Sequence, residues 1–337
     1  MENKYINKYI VITSIFRPTI AIEKFSVLKD YRLLVVADKK TPDDWFCENV
    51  EYISIEHQEN SGFQLSKVLP YNHYCRKMIG YLKAIKNGAD LIIDTDDDNI
   101  PKQNWKFPEF EQKYDYINDN KGFVNIYQLY TNQNIWARGL PLNLIRKQFE
   151  LEKDLSQKDC RVGIWQGLAD EDPDVDAIYR LTSDEPCFFN ERNPVVLGKG
   201  TISPFNTQNT IIRKELFTLM YLPTFVTFRF TDILRSLVAQ PIMWLYDYQL
   251  GFTNATVIQK RNPHNYMQDF LSEIPMYQNC EKVVELVTNS ITKSVTIENN
   301  LFNAYHSLLK SNIICEDEIN TLEAWLKDLD KINNKFA

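Results

Sequence analysis

The fold of this chain is predicted most directly from the stretch Leu91-Ile92-Ile93-Asp94-Thr95-Asp96-Asp97-Asp98-Asn99. Its apolar beginning follows Gly88-Ala89, a pattern that predicts a buried strand leaving a turn. The strand ends in four carboxylates, which disfavour joint ionisation because like charges repel. Mg²⁺ and Mn²⁺ relieve such repulsion, and proteins usually hold these ions with one or two carboxylates plus substrate phosphates. The stretch therefore predicts a divalent cation, Mn²⁺ or Mg²⁺, bound together with a phosphate-bearing ligand.

Within this acidic run, residues 96 and 98 point to one side of an extended chain and residue 97 to the other. We therefore predict Asp96 and Asp98 as metal ligands, with Asp96 and Asp97 also contacting a bound nucleotide. The alternative is a solvated acidic turn or helix cap, in which residues 99–101 simply end the strand.

The residues before the acidic run alternate between two kinds of pattern. Strands are predicted at 9–15, 31–37 and 51–55, and helices at 19–29 and 72–87. This alternation predicts an α/β fold with a mainly parallel sheet, in which ligands bind at the carboxyl ends of the strands. Residues at those ends should therefore meet the acidic run in one crevice.

Several polar side chains at these strand ends are candidates for binding a nucleotide. They are Thr13, Arg17, Asp38, Lys39 and Arg76. Of the pair Arg76-Lys77, one side chain is expected to face a diphosphate and the other to be solvated. The segment 14–19 contains no glycine, which makes a Rossmann or P-loop fingerprint, and hence an ordinary dinucleotide dehydrogenase, a poor match. Helix caps, a surface arginine and a plain turn at 38–43 are the alternatives.

The second half of the chain offers fewer regular patterns. Residues 116–208 are punctuated by prolines and are predicted to be irregular, whereas helices are predicted at 232–248 and over 281–335. The acidic segment 170–176 supplies Asp174 and Asp176, which could orient sugar hydroxyls or complete an acceptor site, or simply be solvated.

Two further side chains in this half are candidates for chemistry. Asp232 begins a helix and is a candidate base or stabiliser of positive charge at an anomeric carbon, with a helix cap as the alternative. His264 is a candidate metal ligand, although a lone histidine is more often structural.

Composition narrows the class of protein. The 337 residues carry 38 basic and 45 acidic side chains, a net charge of -7, so no general basic field exists to bind a nucleic acid. Six cysteines show no C-x-x-C spacing, which argues against zinc and for reduced thiols. The beginning of the chain does not resemble a signal peptide, and no apolar segment approaches membrane-spanning length. A cytoplasmic protein without a membrane span is therefore expected.

Several segments in order are similar to the STELLO-type glycosyltransferase-like family. They are residues 35–42 (Val-Val-Ala-Asp-Lys-Lys-Thr-Pro), 76–81 (Arg-Lys-Met-Ile-Gly-Tyr), 94–101, 136–142 (Trp-Ala-Arg-Gly-Leu-Pro-Leu), 173–182, 204–210 (Pro-Phe-Asn-Thr-Gln-Asn-Thr) and 261–264 (Arg-Asn-Pro-His). The resemblance implies a glycosyltransferase A-type fold, a Rossmann-like mixed sheet flanked by helices, with an Asp-x-Asp metal site. It also implies a nucleoside diphosphate sugar, most simply a UDP-sugar, a glycan acceptor, and a role in surface polysaccharide or glycan synthesis.

A fainter resemblance is to the reversibly glycosylated polypeptides, which are UDP-arabinopyranose mutases. Their three consecutive aspartates match 96–98, and their Arg-Gly-aromatic-Pro segment matches residues 138–141, where Leu140 replaces the aromatic residue. This resemblance implies a mutase in which Arg138 carries the sugar covalently or stabilises it electrostatically. A third hypothesis is a nucleotide-sugar-binding assembly factor without catalysis.

Together these inferences predict two parts of the chain. Residues 1–272 are predicted to form the nucleotide-sugar-binding domain, and residues 273–337 a C-terminal helical extension. The apolar face of the last helix, at Ile319, Leu322, Trp325, Leu326, Leu329 and Ile332, is compatible with packing inside the chain and with self-association.

Overall fold

The computed structural model describes residues 6–103, 105–183, 185–261 and 264–334. The strands are β1 (Lys8–Ser14), β2 (Arg32–Ala37), β3 (Val50–Ile53), β4 (Leu91–Thr95), β5 (Asn99–Pro101), β6 (Glu111–Ile117), β7 (Gly122–Phe123), β8 (Leu155–Asp170), β9 (Val195–Leu197), β10 (Thr201–Ile202), β11 (Asn209–Arg213) and β12 (Gln249–Gln259). The α-helices are α1 (Ile20–Ser26), α2 (Ile55–Glu59), α3 (Leu65–Val68), α4 (Lys77–Lys86), α5 (Ala177–Thr182), α6 (Thr231–Leu245), α7 (Tyr266–Ser290), α8 (Ile297–Lys310) and α9 (Glu316–Asn333).

The predicted parallel half of the sheet is confirmed. Apolar runs form β1, β2 and β4, whose central residues are buried on both faces. β1 pairs in parallel with β2 on one side and with β4 on the other, and β3 extends the sheet beyond β2. The strand order therefore reverses between β1 and β4, and ligands of such sheets bind outside the carboxyl ends at this point.

The other half of the sheet is mostly antiparallel, which agrees with the mixed sheet that the resemblance implies, but its strand β8 was not predicted. β11 pairs antiparallel with β4, and the 16-residue strand β8 follows it in the sheet. The first half of β8 pairs with β6 and its second half with β12. The prediction that 116–208 is irregular is therefore wrong at 155–170. The first half of β8 is polar and mostly exposed, and its second half contains Gly163 and Gly167, so neither half shows a strong strand pattern.

Helix α4 lies tightly against the parallel strands. A Cβ atom at Gly80 would lie 2.5 Å from Val11 Cγ1 and 2.7 Å from Val36 Cγ2, so only glycine allows this close approach. The first residue of α4 is Lys77, which is completely buried. The close packing thus places the ammonium group of Lys77 beneath the carboxyl end of β4.

The C-terminal part is helical as predicted, but its first helix begins earlier. α7 begins at Tyr266 rather than near residue 281, and Pro275 inside the helix obscures its pattern in the sequence. The predicted apolar face of α9 packs within the chain, where Ile319, Leu322, Trp325, Leu329 and Ile332 are buried. Because intrachain packing accounts for this face, self-association stays a prediction.

Buried carboxylates of α9 join the C-terminal helices to earlier residues. Asp328 accepts hydrogen bonds from the backbone N–H groups of Gln64 and Leu65, at 2.9 and 2.8 Å. Glu318 accepts hydrogen bonds from Thr224 N (2.8 Å) and Phe225 N (2.7 Å). The predicted boundary between 272 and 273 lies inside α7, and the division of the chain at this position stays a prediction.

The predicted fold class is confirmed. In the part of the chain that the structure describes, a mixed ten-stranded sheet is flanked by helices and followed by a helical C-terminal region, an arrangement consistent with a glycosyltransferase fold. None of the helices in the described ranges combines the length and apolar character needed to cross a membrane.

Candidate functional site

A cavity of about 450 Å³ opens at the point where the strand order reverses. This volume lies within the range of small-molecule sites in proteins, roughly 300–1,000 Å³. Its lining includes most of the predicted site residues: Thr13, Asp38, Asp96, Asp97, Asp98, Arg138, Asp174, Asp232 and His264. The strands, the acidic run and the start of α6 therefore converge on one crevice, as the alternating pattern predicts.

Each aspartate of the run 96–98 has a different partner. Asp96 Oδ1 lies 2.7 Å from Lys77 Nζ, which also contacts Asp94 Oδ1 at 3.0 Å. Asp97 accepts a hydrogen bond from the hydroxyl of Ser14. These contacts connect the ends of β1 and β4 across the point where the strand order reverses.

One oxygen of the Asp98 carboxylate is buried and accepts no hydrogen bond from the described residues. This oxygen is Oδ1, whereas Oδ2 accepts a hydrogen bond from Gln259 Nε2 at 3.0 Å. A buried carboxylate oxygen without a partner is costly. A bound cation would remove this cost, so Asp98 fits a divalent metal.

Burial raises the pKa values of the three carboxyls at 96–98 and so disfavours their ionised forms. It raises the pKa of Asp96 to about 7, although Lys77 opposes the increase. Burial likewise raises the pKa of Asp97 to about 6, against the hydrogen bond from Ser14. Asp98 also has a raised pKa, because burial outweighs the hydrogen bond from Gln259. A cation in the cavity would favour the ionised form of all three carboxylates.

The described residues do not by themselves form a complete metal cage. No group of three or more His, Cys, Asp or Glu side chains in those ranges lies close enough to hold a metal ion. Mg²⁺ and Mn²⁺ accept fewer protein ligands when substrate phosphates and water complete the coordination. The carboxylates of Asp96 and Asp98 therefore fit a metal that is bound with its substrate. His264 lines the same cavity and pairs with Asp269 at 3.0 Å.

The β2 end of the cavity is held by a network of backbone hydrogen bonds. Asp38 Oδ1 accepts from Lys39 N at 2.7 Å, and Asp38 Oδ2 accepts from His73 N at 3.0 Å. Thr13 lines the cavity at the end of β1. Asp38 therefore fixes the position of the loop that carries His73, a residue that was not predicted.

A buried arginine lies between two predicted carboxylates. Arg138 Nε and Nη2 donate to the two oxygens of Asp174 at 2.8 and 2.7 Å. Arg138 Nη2 also lies 3.0 and 2.9 Å from the two oxygens of Asp232, which is in the first turn of α6. Gly139 follows with φ +93, and a Cβ there would lie 2.5 Å from Ile233 Cγ2. The glycine thus allows Arg138 to approach α6 closely.

Mutual attraction keeps this cluster charged. Burial disfavours the guanidinium of Arg138, but Asp174 and Asp232 outweigh it and raise its pKa well above the usual value. Burial also disfavours the Asp174 carboxylate, but Arg138 and Arg229 lower its pKa. The cluster therefore places fixed charges on the cavity wall formed by 138–139 and α6.

Two more arginines, Arg229 and Arg261, lie on this wall. Arg229 Nε lies 2.9 Å from Glu273 Oε1, and its Nη2 lies 3.7 Å from Asp174 Oδ1. Arg261 has looser ion pairs of 3.8 Å, with Asp172 and Asp269. Its pKa is lowered by burial and by Arg229. An anionic ligand between the acidic run and these arginines would relieve their mutual repulsion.

Four predicted site residues lie outside the cavity lining. Arg17 is exposed and pairs with Asp44 at 2.9 Å. The side chain of Lys39 lies over the ring of Tyr71, with its Nζ 4.0 Å from the ring centroid. Arg76 donates to Gln58 Oε1 at 2.8 Å and Leu69 O at 3.1 Å. Asp176 accepts from Trp136 Nε1 and caps α5. Their binding roles stay predictions.

The expectation that one of Arg76 and Lys77 is solvated is wrong, because both are fully buried. Lys77 is the member that reaches the acidic run, which the helical pattern could not show. Sequence reasoning also missed His73, Tyr74, Gln259 and Phe228 as cavity residues. Phe228 is 52% exposed. Neither a motif nor periodicity distinguishes these four residues, since they meet only when the loops are folded.

Comparisons with known proteins agree with this geometry. A family model described as STELLO glycosyltransferases matches residues 229–337, which begin at Arg229 in the cavity wall. The chain is 26% identical to "Probable glycosyltransferase STELLO2" and 24% identical to "Probable glycosyltransferase STELLO1", both of Arabidopsis thaliana. Each alignment covers 96% of this chain but 44% of the relative, so the chain spans less than half of the length of these curated relatives. The chain is thus similar to STELLO glycosyltransferases along nearly its whole length, and the family model matches its C-terminal third.

Proposed function

We propose that this chain is a metal-dependent glycosyltransferase that uses a nucleoside diphosphate sugar, preferably a UDP-sugar, as its donor. The observation that carries this proposal is the position of Asp96, Asp97 and Asp98. They line a cavity at the point where the strand order reverses, and the buried Oδ1 of Asp98 has no hydrogen-bond partner among the described residues. A divalent cation and a diphosphate are the ligands that satisfy such a run.

The two walls of the cavity have complementary roles in binding a diphosphate sugar. Asp96 and Asp98 would hold a Mn²⁺ or Mg²⁺ ion, which would supply electrostatic stabilisation of the leaving diphosphate. Arg229 and Arg261 face the same cavity and can donate hydrogen bonds to phosphate oxygens. Thr13 and Asp38, at the ends of β1 and β2, are the residues that we propose to contact the nucleoside. The donor is thus oriented along the ends of the parallel strands.

The Arg138 cluster acts on the sugar side. Asp232 is held in place by Arg138 and by the backbone N–H of Ile233 at 3.1 Å. We assign Asp232 as the carboxylate that receives the proton of the attacking acceptor hydroxyl or stabilises positive charge at the anomeric carbon. Asp174 and Arg138 fix its position and charge. Because both neighbours are buried, their fields are weakly screened.

The mutase hypothesis requires Arg138 itself to attack the sugar. A guanidinium nitrogen is a nucleophile only after it loses a proton, and the flanking carboxylates raise the pKa of Arg138. Each Arg138 nitrogen also donates a hydrogen bond, because Nη1 donates to Arg229 O while Nε and Nη2 contact the carboxylates. These contacts favour an arginine that positions carboxylates, and hence a transferase. A carboxylate set arranged for proton transfer likewise favours catalysis over an assembly factor.

To test this proposal, the purified protein is incubated with Mn²⁺ and a panel of nucleotide sugars, without acceptor. Sugar products are then followed by chromatography, and the protein is followed by intact mass. Slow release of the nucleoside diphosphate, with no new sugar isomer and no protein adduct, supports a transferase. A new isomer of the same nucleotide sugar, with an adduct that Arg138→Ala abolishes, would establish the mutase. Binding of a donor without its consumption would leave the assembly factor, and binding of no donor would overturn the proposal.

Biosynthesis of a glycan or surface polysaccharide is the process that we propose for this activity. The support for it is the family match together with a cavity that combines a diphosphate site and a carboxylate suited to activating a hydroxyl. The acceptor is therefore proposed to be a glycan hydroxyl.

A further inference from the structure

His73 lines the cavity, and its hydrogen bonds fix the tautomer of its imidazole ring. Its backbone N–H is held by Asp38, and its Nδ1 accepts a hydrogen bond from Cys75 N at 3.2 Å. A neutral imidazole that accepts at one nitrogen carries its proton on the other. His73 therefore has its N–H at Nε2. Burial lowers the pKa of His73, which keeps the ring neutral.

Aromatic contacts also fix the plane of this ring. The His73 ring stacks on Tyr74, with centroids 5.4 Å apart and an angle of 11° between the planes. It meets Phe228 edge-on at 5.5 Å and 61°. All three side chains line the cavity. Because both the ring plane and the tautomer are fixed, Nε2 can donate a hydrogen bond but cannot accept one.

The order of the strands indicates which part of a donor His73 would meet. The metal and diphosphate are proposed at the end of β4, and β1 and then β2 follow in the sheet. Neighbouring strands lie about 4.8 Å apart, so the end of β2 lies roughly 10 Å from the end of β4. This span accommodates the ribose over β1 and the base near β2. Asp38 holds His73 at the outer wall, where the edge of the base remote from the ribose would lie.

We propose that His73 selects the base of the donor nucleotide, by donating its Nε2–H to the keto oxygen at position 4 of uracil. Cytosine carries an amino group at that position, which would place one N–H group against another. The site would leave this donor unpaired with cytosine, and sites built to pair a polar group discriminate strongly against ligands that lack its partner. This inference rests on the proposed function and adds the residue that would select the uracil base of its donor.

The test is calorimetric titration of UDP and of CDP, each with Mn²⁺, into the wild-type chain and into His73→Asn. Asparagine can still accept the hydrogen bond from Cys75 N, because it is a good capping residue, but it is too short to replace Nε2–H. The matched control is His57→Asn, at an exposed histidine outside the cavity lining. A neutral hydrogen bond of about 1.4 kcal/mol corresponds to a factor of ten in affinity.

We expect the wild-type chain to bind UDP about tenfold more tightly than CDP. His73→Asn should weaken UDP binding by about that factor without weakening CDP binding, so that the ratio falls to about one or below. Equal binding of UDP and CDP by the wild-type chain, a comparison that needs no variant to fold, would overturn this inference alone. An unchanged ratio in folded His73→Asn would do the same. Binding of neither nucleotide would overturn the proposed function as well.

Discussion

Lys77 and Asp96 form an ion pair of 2.7 Å in which the lysine side chain is completely buried. The same ammonium group lies 3.0 Å from Asp94 Oδ1 and 2.8 Å from Thr95 O. Asp94 is paired on its other oxygen with Arg235 at 2.8 Å. The protein therefore neutralises the side of the acidic run that faces the core. Asp96 and Asp98 line the cavity beyond this pair, where we propose that a cation binds.

Replacing Lys77 by methionine should strongly destabilise the protein. The variant leaves buried carboxylate charge at Asp94 and Asp96 without its closest cation, a loss of about 3–5 kcal/mol in the free energy of unfolding. Urea unfolding measures the effect. Lys83→Met, which removes an exposed pair with Glu51, is the control and should cost less than about 1 kcal/mol. Equal stability of Lys77→Met and the wild-type chain would contradict the buried ion pair.

Replacing Arg138 by lysine should reduce turnover far more than nucleotide binding. Lysine keeps the charge but cannot span the oxygens of Asp174 and Asp232 with a planar group. We expect turnover to fall by roughly 10- to 100-fold, corresponding to about 1.4–2.7 kcal/mol of transition-state stabilisation. The dissociation constant of UDP should change by less than about threefold, because a loss confined to the transition state affects turnover and not binding. Turnover at the wild-type level would show that the cluster does not position the reacting groups.

Removing residues 273–337 should prevent folding of the remainder. The deletion removes Glu273, which accepts hydrogen bonds from Ala177 N at 2.7 Å and Arg229 Nε at 2.9 Å. It also removes the carboxylates of Glu318 and Asp328, which satisfy backbone N–H groups of earlier residues. We expect a fragment without a cooperative unfolding transition in circular dichroism. A stable, cooperatively unfolding fragment 1–272 would instead establish two separately folding parts.

Stability should depend on the protonation of Glu318. Burial raises the pKa of this carboxyl from 4.5 to about 7, although Tyr221 and two backbone N–H groups donate to it. A raised pKa means that the folded protein binds the proton more tightly than the unfolded chain. The contribution to stability is therefore complete below about pH 4.5 and is lost as the pH rises through about 7.

Glu318→Gln isolates this effect. The amide can accept from Thr224 N and Phe225 N and donate to the Tyr221 oxygen, and it does not titrate. Between pH 5 and pH 8 the wild-type free energy of unfolding should fall relative to that of the variant by roughly 2–3 kcal/mol. Urea unfolding at the two pH values provides the comparison. Parallel pH profiles would show that Glu318 does not change protonation in this interval.

The local features of this fold could be predicted from the sequence. Strands β1, β2 and β4 are apolar runs of ordinary length, and the acidic run 94–98 is continuous, so neighbouring residues alone reveal them. β8 could not be predicted, because its polar half becomes a strand only through pairing with β6. Pro275 concealed the start of α7 in the same way, since packing of the helix outweighs the local penalty.

The candidate site likewise combines residues that the local sequence reveals with contacts that only the fold brings together. Asp96, Asp97 and Asp98 are adjacent, and the prediction that they line the crevice is confirmed. Arg138 contacts Asp174 and Asp232, which are 36 and 94 residues away along the chain, and their partnership depends on the fold. The burial of Lys77 likewise depends on Asp94, 17 residues later. Distant charge pairs leave no periodic signal in one sequence.

The most direct test of the central claim is a calorimetric titration of UDP into the wild-type chain and into Asp98→Asn, each with Mn²⁺ and with a chelator. Asp247→Asn, at a carboxylate that is 77% exposed and outside the cavity lining, is the matched control. We predict that UDP binds the wild-type chain and the control only with Mn²⁺. We also predict that Asp98→Asn keeps the stability of the wild-type chain but loses this metal-dependent binding. UDP binding that is equally tight without metal, or unchanged in Asp98→Asn, would contradict a metal-dependent nucleotide-sugar site at the end of β4.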